Sequence, residues 1–491
     1  MNNRLFTHFL AFSFACLVFS STSCLRQINT NSDSATPSPT LAGIMDEPEN
    51  AQLVKETDGA SLSCKGQAYM KIKTPALTEQ ILRFLKLKTD NKVDIESSFP
   101  NENIYFIKLT DSQTMANLKK QLVFEQGLLG SKFVSFMPDF VITADQVNQL
   151  NRCAGNCDSP TIDWMKSIQM DRVWNGTIRG NPKILTAVLD SGINVNHPDL
   201  NDNIWKARTN HSFFVQGKQV NCLVGDWGYD TTTSSCQPPE RSTHGTRVAG
   251  IIGGECDNGG IRGVNCNSKI ISVNVLPYRT LDGAEGCVSD LIKGIYFVIN
   301  LKKDLEVTEP ENNLRVINCS LGIFSNEITA PEVQPLEIAM NDARSEGILF
   351  VAAAGNGKGT DIRKRFRHYP ASFALNNMIS VSSVEINDEL RGDSSVGADI
   401  GAPGTAIVST TGAHDYEVIE QTSAATPFVS GAAALILSKC EMSPDALKNL
   451  ILKNTNQLQN RGGVDPLGKL NVCKALNDCM PKTSDRLNCD P

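Results

Sequence analysis

Several features are scarce or missing in this chain, and each absence narrows what it can be. Beyond the N-terminus, no uninterrupted apolar stretch reaches the roughly 18 residues that a membrane-spanning helix needs. There is no basic excess: 46 Lys and Arg face 53 Asp and Glu, a net charge of −7. A nucleic-acid binder would present a basic stripe instead. No CxxC pair is repeated, which removes the common zinc frameworks. Internal repeats are missing, and histidine is rare, with six in 491 residues. A histidine in a constrained setting therefore stands out.

What is present begins with a targeting layout. Met1 to Arg4 is a short basic start, Leu5 to Phe19 is apolar apart from Thr7, His8 and Ser13, and Ser20 to Ser23 are small. Residues 1–23 thus read as a secretory signal peptide, with a core too short for an ordinary membrane anchor. Cys24 follows directly, so a lipid anchor on Cys24 is the alternative to plain cleavage. Ser21, standing where a lipoprotein signal carries leucine, favours plain cleavage. Either route gives a secreted or extracytoplasmic protein. Cysteine usage agrees. Setting aside Cys16 in the signal, Cys24 at its edge and Cys64 leaves an even number of the 15 cysteines, as expected of an exported chain held by disulfides. Cys222–Cys236 and Cys256–Cys266 are local candidates, the full connectivity stays open, and Cys319, inside an apolar strand, reads equally as a buried thiol.

Residues 24–60 are rich in Ser, Thr, Asn, Pro and Glu and read as a flexible linker. Residues 61–145 have the pattern of a small α+β, ferredoxin-like unit. Strands are expected at Ala68–Ile72, Ile104–Leu109 and Val134–Ile142, and helices at Leu77–Leu87 and Met115–Val123. From 158 to 476, short continuous apolar runs (Ile184–Leu189, Ile270–Val275, Arg315–Ser320, Ile348–Ala353 and Met378–Val384) alternate with helical stretches such as Val288–Lys302 and Pro331–Ser345. Runs of this kind suit strands buried on both faces of a parallel sheet. The expected fold class is α/β: a three-layer domain with a mostly parallel central sheet, its site at the carboxyl ends of the strands. Residues 477–491 read as a C-terminal tail.

Four motifs fall at such strand ends or helix starts. Ala187-Val188-Leu189-Asp190-Ser191-Gly192 runs an apolar strand into an acid and a sharp turn, which holds a carboxylate able to orient an imidazole. Thr243-His244-Gly245-Thr246 places a histidine at the start of a small-residue helix, a rigid support for a general base. Val351-Ala352-Ala353-Ala354-Gly355-Asn356-Gly357 ends a buried strand on an outward-facing amide, suited to stabilising developing negative charge. In Gln421-Thr422-Ser423-Ala424, Ser423 opens an apolar helix extending to about Leu437, with Pro427 expected in its first turn, which puts Ser423 beside the positive end of the helix dipole. Taken singly, each motif is more often a cap or a turn.

Together, in the order Asp190, His244, Asn356, Ser423, they resemble the subtilase (subtilisin-like) family of serine peptidases, whose triad runs Asp…His…Ser along the chain. The stretches around Ile162-Asp163-Trp164, His197-Pro198-Asp199-Leu200, Ser320-Leu321-Gly322, Tyr369-Pro370-Ala371-Ser372 and Ala402-Pro403-Gly404 are similar as well. The resemblance implies a serine endopeptidase acting on proteins or peptides through an acyl-enzyme. It implies Ser423 as nucleophile, His244 as base, Asp190 as the group that holds His244, and Asn356 as oxyanion donor. Ser320, Leu321, Gly322, Ala353, Ala354 and Gly355 would bind substrate. The 61–145 unit would be a propeptide that assists folding and, as an intramolecular inhibitor, lays its last strand in the substrate groove until it is cut somewhere between Thr143 and Pro160. Catalysis would need no metal or organic cofactor. Structural calcium is common in the family, but no acidic spacing here locates a site. A monomer is expected.

Departures from the family pattern bear on activity. Gln421 stands where glycine is usual, Ala424 where methionine is frequent, and Phe428 where histidine is frequent. Ala424, Arg247 and Gly355-Asn356-Gly357 are reminiscent of the kexin-like branch. However, the acidic residues which that branch carries after its substrate strand are missing from Gly322 to Glu327, so dibasic cleavage is not expected. No Gly-x-Ser-x-Gly elbow surrounds Ser423, which disfavours other serine hydrolases. Gln421 alone supports the rival reading, a catalytically silent subtilase fold that acts as a binding protein.

Overall fold

The computed structural model describes residues 63–489 except 74, 76–77, 89–91, 110–133, 145–157, 177, 257, 281–282, 326–327, 329, 365–366, 413, 460–467 and 482–485. The expected signal, the whole linker, the helix expected at Met115–Val123 and the stretch just beyond Ala144 lie outside the described residues. So do Cys153 and Cys157.

The leading unit contains β1 (Ser63–Ile72), α1 (Thr78–Lys88), β2 (Val93–Phe99), β3 (Ile104–Leu109) and β4 (Val134–Ala144). Its strands pair antiparallel in the order β4-β1-β3-β2. Side chains alternate across a strand, and here the two faces have different destinations. Met70 and Ile72 join Leu85, Val93, Ile107 and Leu109 in a small core under α1. Tyr69, Phe99, Phe106 and Met137 belong to the large core shared with the rest of the chain.

The main body follows, with α2 (Asp158–Ser167), α3 (Met170–Asn175), β5 (Ile184–Asp190), β6 (Gly228–Asp230), α4 (His244–Gly253), β7 (Lys269–Asn274), β8 (Gly283–Cys287), α5 (Val288–Thr308), β9 (Asn313–Cys319), β10 (Leu321–Ser325), α6 (Gln334–Ser345), β11 (Leu349–Ala353), β12 (Met378–Val384), β13 (Ile400–Pro403), α7 (Gln421–Leu437), α8 (Pro444–Lys453), β14 (Thr455–Gln457), β15 (Gly468–Leu470) and α9 (Val472–Cys479). Nine strands form the central sheet in the order β14-β15-β13-β12-β11-β9-β5-β7-β6. Every pairing in it is parallel except β14 with β15. Leu185, Ala187 and Leu189 of β5 pack with α5 and α6, while Ile184 and Val188 pack with α4 and α7. Helices therefore cover both faces, which is why the apolar runs are unbroken. Among the described residues no helix is long and apolar enough to cross a membrane.

Two expectations need correction, and the C-terminal tail has a defined place. Helix α7 begins at Gln421, so Pro427 lies inside it rather than in its first turn. A proline there removes the N–H that would bond the carbonyl four residues back, which is that of Ser423. That carbonyl instead accepts the Ser320 hydroxyl at 3.1 Å. Cys64, set aside from the disulfide count, is bonded to Cys287, because β1 and β8 flank β4 on opposite edges. The C-terminal tail is docked. Cys440–Cys479 and Cys473–Cys489 pin it, and Leu487 is buried in the core that contains α7 and α9. The two local pairs, Cys222–Cys236 and Cys256–Cys266, are formed as expected. Cys319 is a free, buried thiol whose pKa burial pushes up.

Candidate active site

Asp190 closes β5 and is fully buried. The chain turns behind it at Gly192 (φ 85°), where an added Cβ would stand 2.1 Å from the Pro239 carbonyl oxygen. His244 is the first residue of α4. Gly245 lets that helix start lie against the Asp190 turn, since a Cβ there would meet the Gly192 carbonyl oxygen at 2.2 Å. The approach places His244 Nδ1 2.8 and 3.0 Å from the two Asp190 carboxylate oxygens. Asp190 Oδ1 also accepts the Ser191 N–H at 2.7 Å. An acceptor at Nδ1 puts the ring proton there and leaves Nε2 as a lone-pair base. Nε2 is buried and has no hydrogen-bond partner among the described residues.

Ser423 is the third residue of α7, so its N–H is among the four that an α-helix leaves without an intrahelical acceptor. Its hydroxyl donates to the Ser320 carbonyl at 3.1 Å, and Ser320 returns a bond from its own hydroxyl to the Ser423 carbonyl. The nucleophile–base hydrogen bond is thus not made in this conformation; Ser423 Oγ rests on β10's entry residue instead. Rotation about one staggered χ1 is the movement that redirects a serine hydroxyl.

Asn356 follows β11. Its Oδ1 accepts both the Thr422 N–H (3.2 Å) and the Thr422 hydroxyl (3.0 Å), and the hydroxyl oxygen of Thr422 accepts the Gly355 N–H at 3.2 Å. Its Nδ2 donates to Gln421 Oε1 at 3.1 Å. Thr422 and Gln421 therefore lock the amide to the start of the helix that carries Ser423.

The remaining expected residues line a groove. Leu321 and Gly322 lie in β10, where Leu321 pairs with Ala144 and Gly322 with Thr143 of β4. Ala353 ends β11, and Ala353 and Ala354 are fully buried. Gly355 has φ 84°. His368, which the motifs did not single out, stands between the two walls. An added Cβ would lie 2.3 Å from its ring at Gly322 and 2.6 Å at Gly355, and its Nδ1 bonds the Ala353 carbonyl oxygen at 3.0 Å. The only sequence signal for His368 was its place beside Tyr369-Pro370. The other missed wall is β8, which pairs antiparallel with β4 through Cys287–Val141, Gly286–Ile142 and Glu285–Thr143. The end of β4 is therefore the middle strand between β8 and β10. One residue of β4 is also gripped by its side chain. Asp139, fully buried, accepts the Ser289 N–H (2.8 Å) and hydroxyl (2.6 Å) at the start of α5. Burial raises its carboxyl pKa to about 7, against the lowering effect of those bonds.

The structure thus joins His244 to Asp190, Ser423 to Ser320 and Asn356 to the helix start that carries Ser423, and it places Leu321, Gly322, Ala353, Ala354 and Gly355 in the two groove walls. A family model for the subtilase family matches residues 181–468, and the chain belongs to that family. It is 30% identical to a thermophilic serine proteinase of Bacillus sp. (strain AK1), over 62% of this chain and 64% of that protein. It is 34% identical to the major intracellular serine protease of Bacillus subtilis (strain 168), over 57% of this chain and 76% of the relative. With subtilisin-like protease 2 of Plasmodium falciparum (isolate 3D7) it shares 28% identity, over 68% of this chain but 24% of the relative. The chain therefore spans just under two thirds of the first of these relatives and about a quarter of the last.

Proposed function

We propose that the chain is an exported serine endopeptidase that hydrolyses peptide bonds of proteins and is made as a self-processing zymogen. One observation carries the catalytic part: the buried Asp190–His244 hydrogen bond, which leaves Nε2 without a partner among the described residues. In this reading Nε2 takes the Ser423 proton as Oγ attacks the scissile carbonyl, and Asp190 stabilises the imidazolium without being protonated. Nδ2 of Asn356 and the Ser423 N–H receive the oxyanion, and the imidazolium then protonates the leaving amine. Water reverses the sequence on the acyl-enzyme. Substrate would add as a strand along β10, with its side chain before the scissile bond between Gly322, Ala354, Gly355 and His368.

The zymogen part is supported by β4, which occupies that strand position and leads into the stretch beyond Ala144. The leading unit then serves as propeptide; its strand order β4-β1-β3-β2 agrees with a ferredoxin-like unit. Export is supported by the leader-like N-terminus and by five disulfides among the described residues. Structural calcium belongs to the same reading. Chelation should then lower the melting temperature of the folded chain.

Fluorophosphonate labelling followed by peptide mass spectrometry tests the catalytic part. Label on Ser423 that is lost in His244→Ala establishes a working nucleophile and base. No label on processed, folded protein from which the leading unit has been removed would give the lead to the silent binding fold, a reading favoured by the Ser423 hydroxyl resting on Ser320. The Ser423→Ala chain, produced alone, should remain uncut. Normal maturation of that variant would refute self-processing.

A further inference from the structure

The Cys64–Cys287 disulfide joins β1 of the leading unit to the last residue of β8, a wall of the groove. Both cysteines are buried, and the strand between them in the sheet is β4. Cutting the chain beyond Ala144 opens the backbone on one side of the leading unit but leaves this bond intact. Around it the two parts also share Asp139 with Ser289, Gln67 with Ser289 (3.4 Å), Lys71 with Gln334 (3.2 Å) and the Phe99–Tyr296 ring contact (5.8 Å). Resting on the zymogen reading, we infer that the product of processing is a disulfide-linked two-chain molecule in which the inhibitory unit is the permanent covalent partner of the peptidase body. A tether of this kind makes rebinding intramolecular, at an effective concentration that keeps the groove refilled. Processing and release are then separate events.

The test uses the full chain after processing. Without reductant, denaturing electrophoresis should show one species of uncut mass, and with dithiothreitol two fragments. Non-reducing peptide mapping should recover the Cys64–Cys287 linked peptide. The Cys64→Ser chain should give two fragments without reductant, a body that separates from the unit on gel filtration, and higher peptidase activity. Wild-type fragments that part without reductant, or a map lacking the linked peptide, would overturn the tether. A wild-type chain that is never cut would instead count against the zymogen reading.

Gln421 supports a separate assignment. It has φ 71°, the left-handed region that disfavours any side chain. Its side chain bridges two fixed groups: Oε1 accepts from Asn356 Nδ2, and Nε2 donates to Asp393 Oδ2 at 2.8 Å. Asp393 is held in turn by Arg391 Nε at 2.7 Å, and Arg391 also binds Glu420. The chemistry at both ends orients the amides. A backbone N–H on Asn356 Oδ1 makes the other Asn356 atom the donor, and a carboxylate on Gln421 makes its outer atom the donor. One N–H of Asn356 is thus engaged and the other left to the site. On the peptidase reading, the geometry points to Gln421 as a positioning residue that aims the Asn356 amide.

Peptide hydrolysis by a Gln421→Gly chain, which relieves the backbone, should show kcat reduced roughly tenfold, the scale of one lost hydrogen bond, with KM unchanged. In an Asn356→Ala background the same change should cost nothing further. Gln421→Glu should be worse, because it faces Asp393. Adding Asp393→Asn rebuilds the bridge with donor and acceptor exchanged and should restore kcat. A Gln421→Gly chain as fast as wild type, or an equal loss without Asn356, would overturn the assignment. A Cys64→Ser body, freed of the leading unit, that neither labels nor turns over would instead defeat the peptidase reading.

Discussion

Ser320 and Pro427 show how one residue's deficit becomes another's anchor. The proline frees the Ser423 carbonyl, and the Ser320 hydroxyl fills the vacancy. Its own carbonyl meanwhile holds the Ser423 hydroxyl. Ser320→Ala should therefore leave a buried carbonyl unpaired and lower stability by about 1–3 kcal/mol, measured by urea unfolding. It should also reduce labelling of Ser423, because the helix start loses a fixed point. The start of α7 was misread in the sequence for a related reason. Its N-cap, Glu420, makes no side-chain cap bond. The first N–H groups are instead satisfied from distant loops, Gln421 by the Gly404 carbonyl and Thr422 by Asn356. Local capping chemistry was thus silent, whereas the identities of Asp190, His244, Asn356 and Ser423 were legible because each sits at a strand end or helix start that the local pattern marks.

At the scale of elements, strands buried on both faces announced themselves as apolar runs, and Met378–Val384 was located to the residue. Strands whose extension comes from a neighbour did not. β8 reads Gly-Ala-Glu-Gly-Cys, with no β-branched residue, and is extended because β4 pairs with it. β2 carries Asp94, Glu96 and two serines, and owes its place to β3. The same β4 carries a pH dependence. Burial raises Asp139 to about 7 and raises its neighbour Asp290, with Lys293 opposing and Tyr69 nearby. A carboxyl whose folded pKa is raised prefers to be neutral there. Its contribution is therefore complete below the ordinary carboxylate value of about 4, is lost as pH rises from there, and is fully lost above about 7. The uncut Ser423→Ala chain should lose stability between pH 5 and 7, by up to roughly 1.4 kcal/mol per unit from Asp139, and then level off. Adding Asp139→Asn should flatten that fall. An unchanged slope would assign it to other groups.

At the scale of the whole molecule, stability and chemistry are placed apart. The groups proposed for catalysis sit at the ends of β5 and β11 and the starts of α4 and α7, whereas the docked C-terminal segment packs beside α3 and α9. Leu487 packs so closely that a Cβ at Gly176 would stand 2.2 Å from its Cδ2, and Asn477 bonds both the Leu487 N–H (3.0 Å) and carbonyl (2.7 Å). Cys489 ties this segment to α9 through Cys473. The sequence marked residues 477–491 only as a tail, since their polar residues give no periodic signal and one leucine carries the packing. Removing residues 481–491 deletes that leucine and opens a disulfide, so the unfolding free energy of the Ser423→Ala chain should fall by roughly 3 kcal/mol or more. The same truncation on the active chain should leave kcat and KM unaltered for the folded fraction at low temperature, because the tail's described residues have no recorded contact with the groove. A fall in kcat with no loss of stability would mean that the tail reaches the site through α7, whose core it shares, and that the separation drawn here is false.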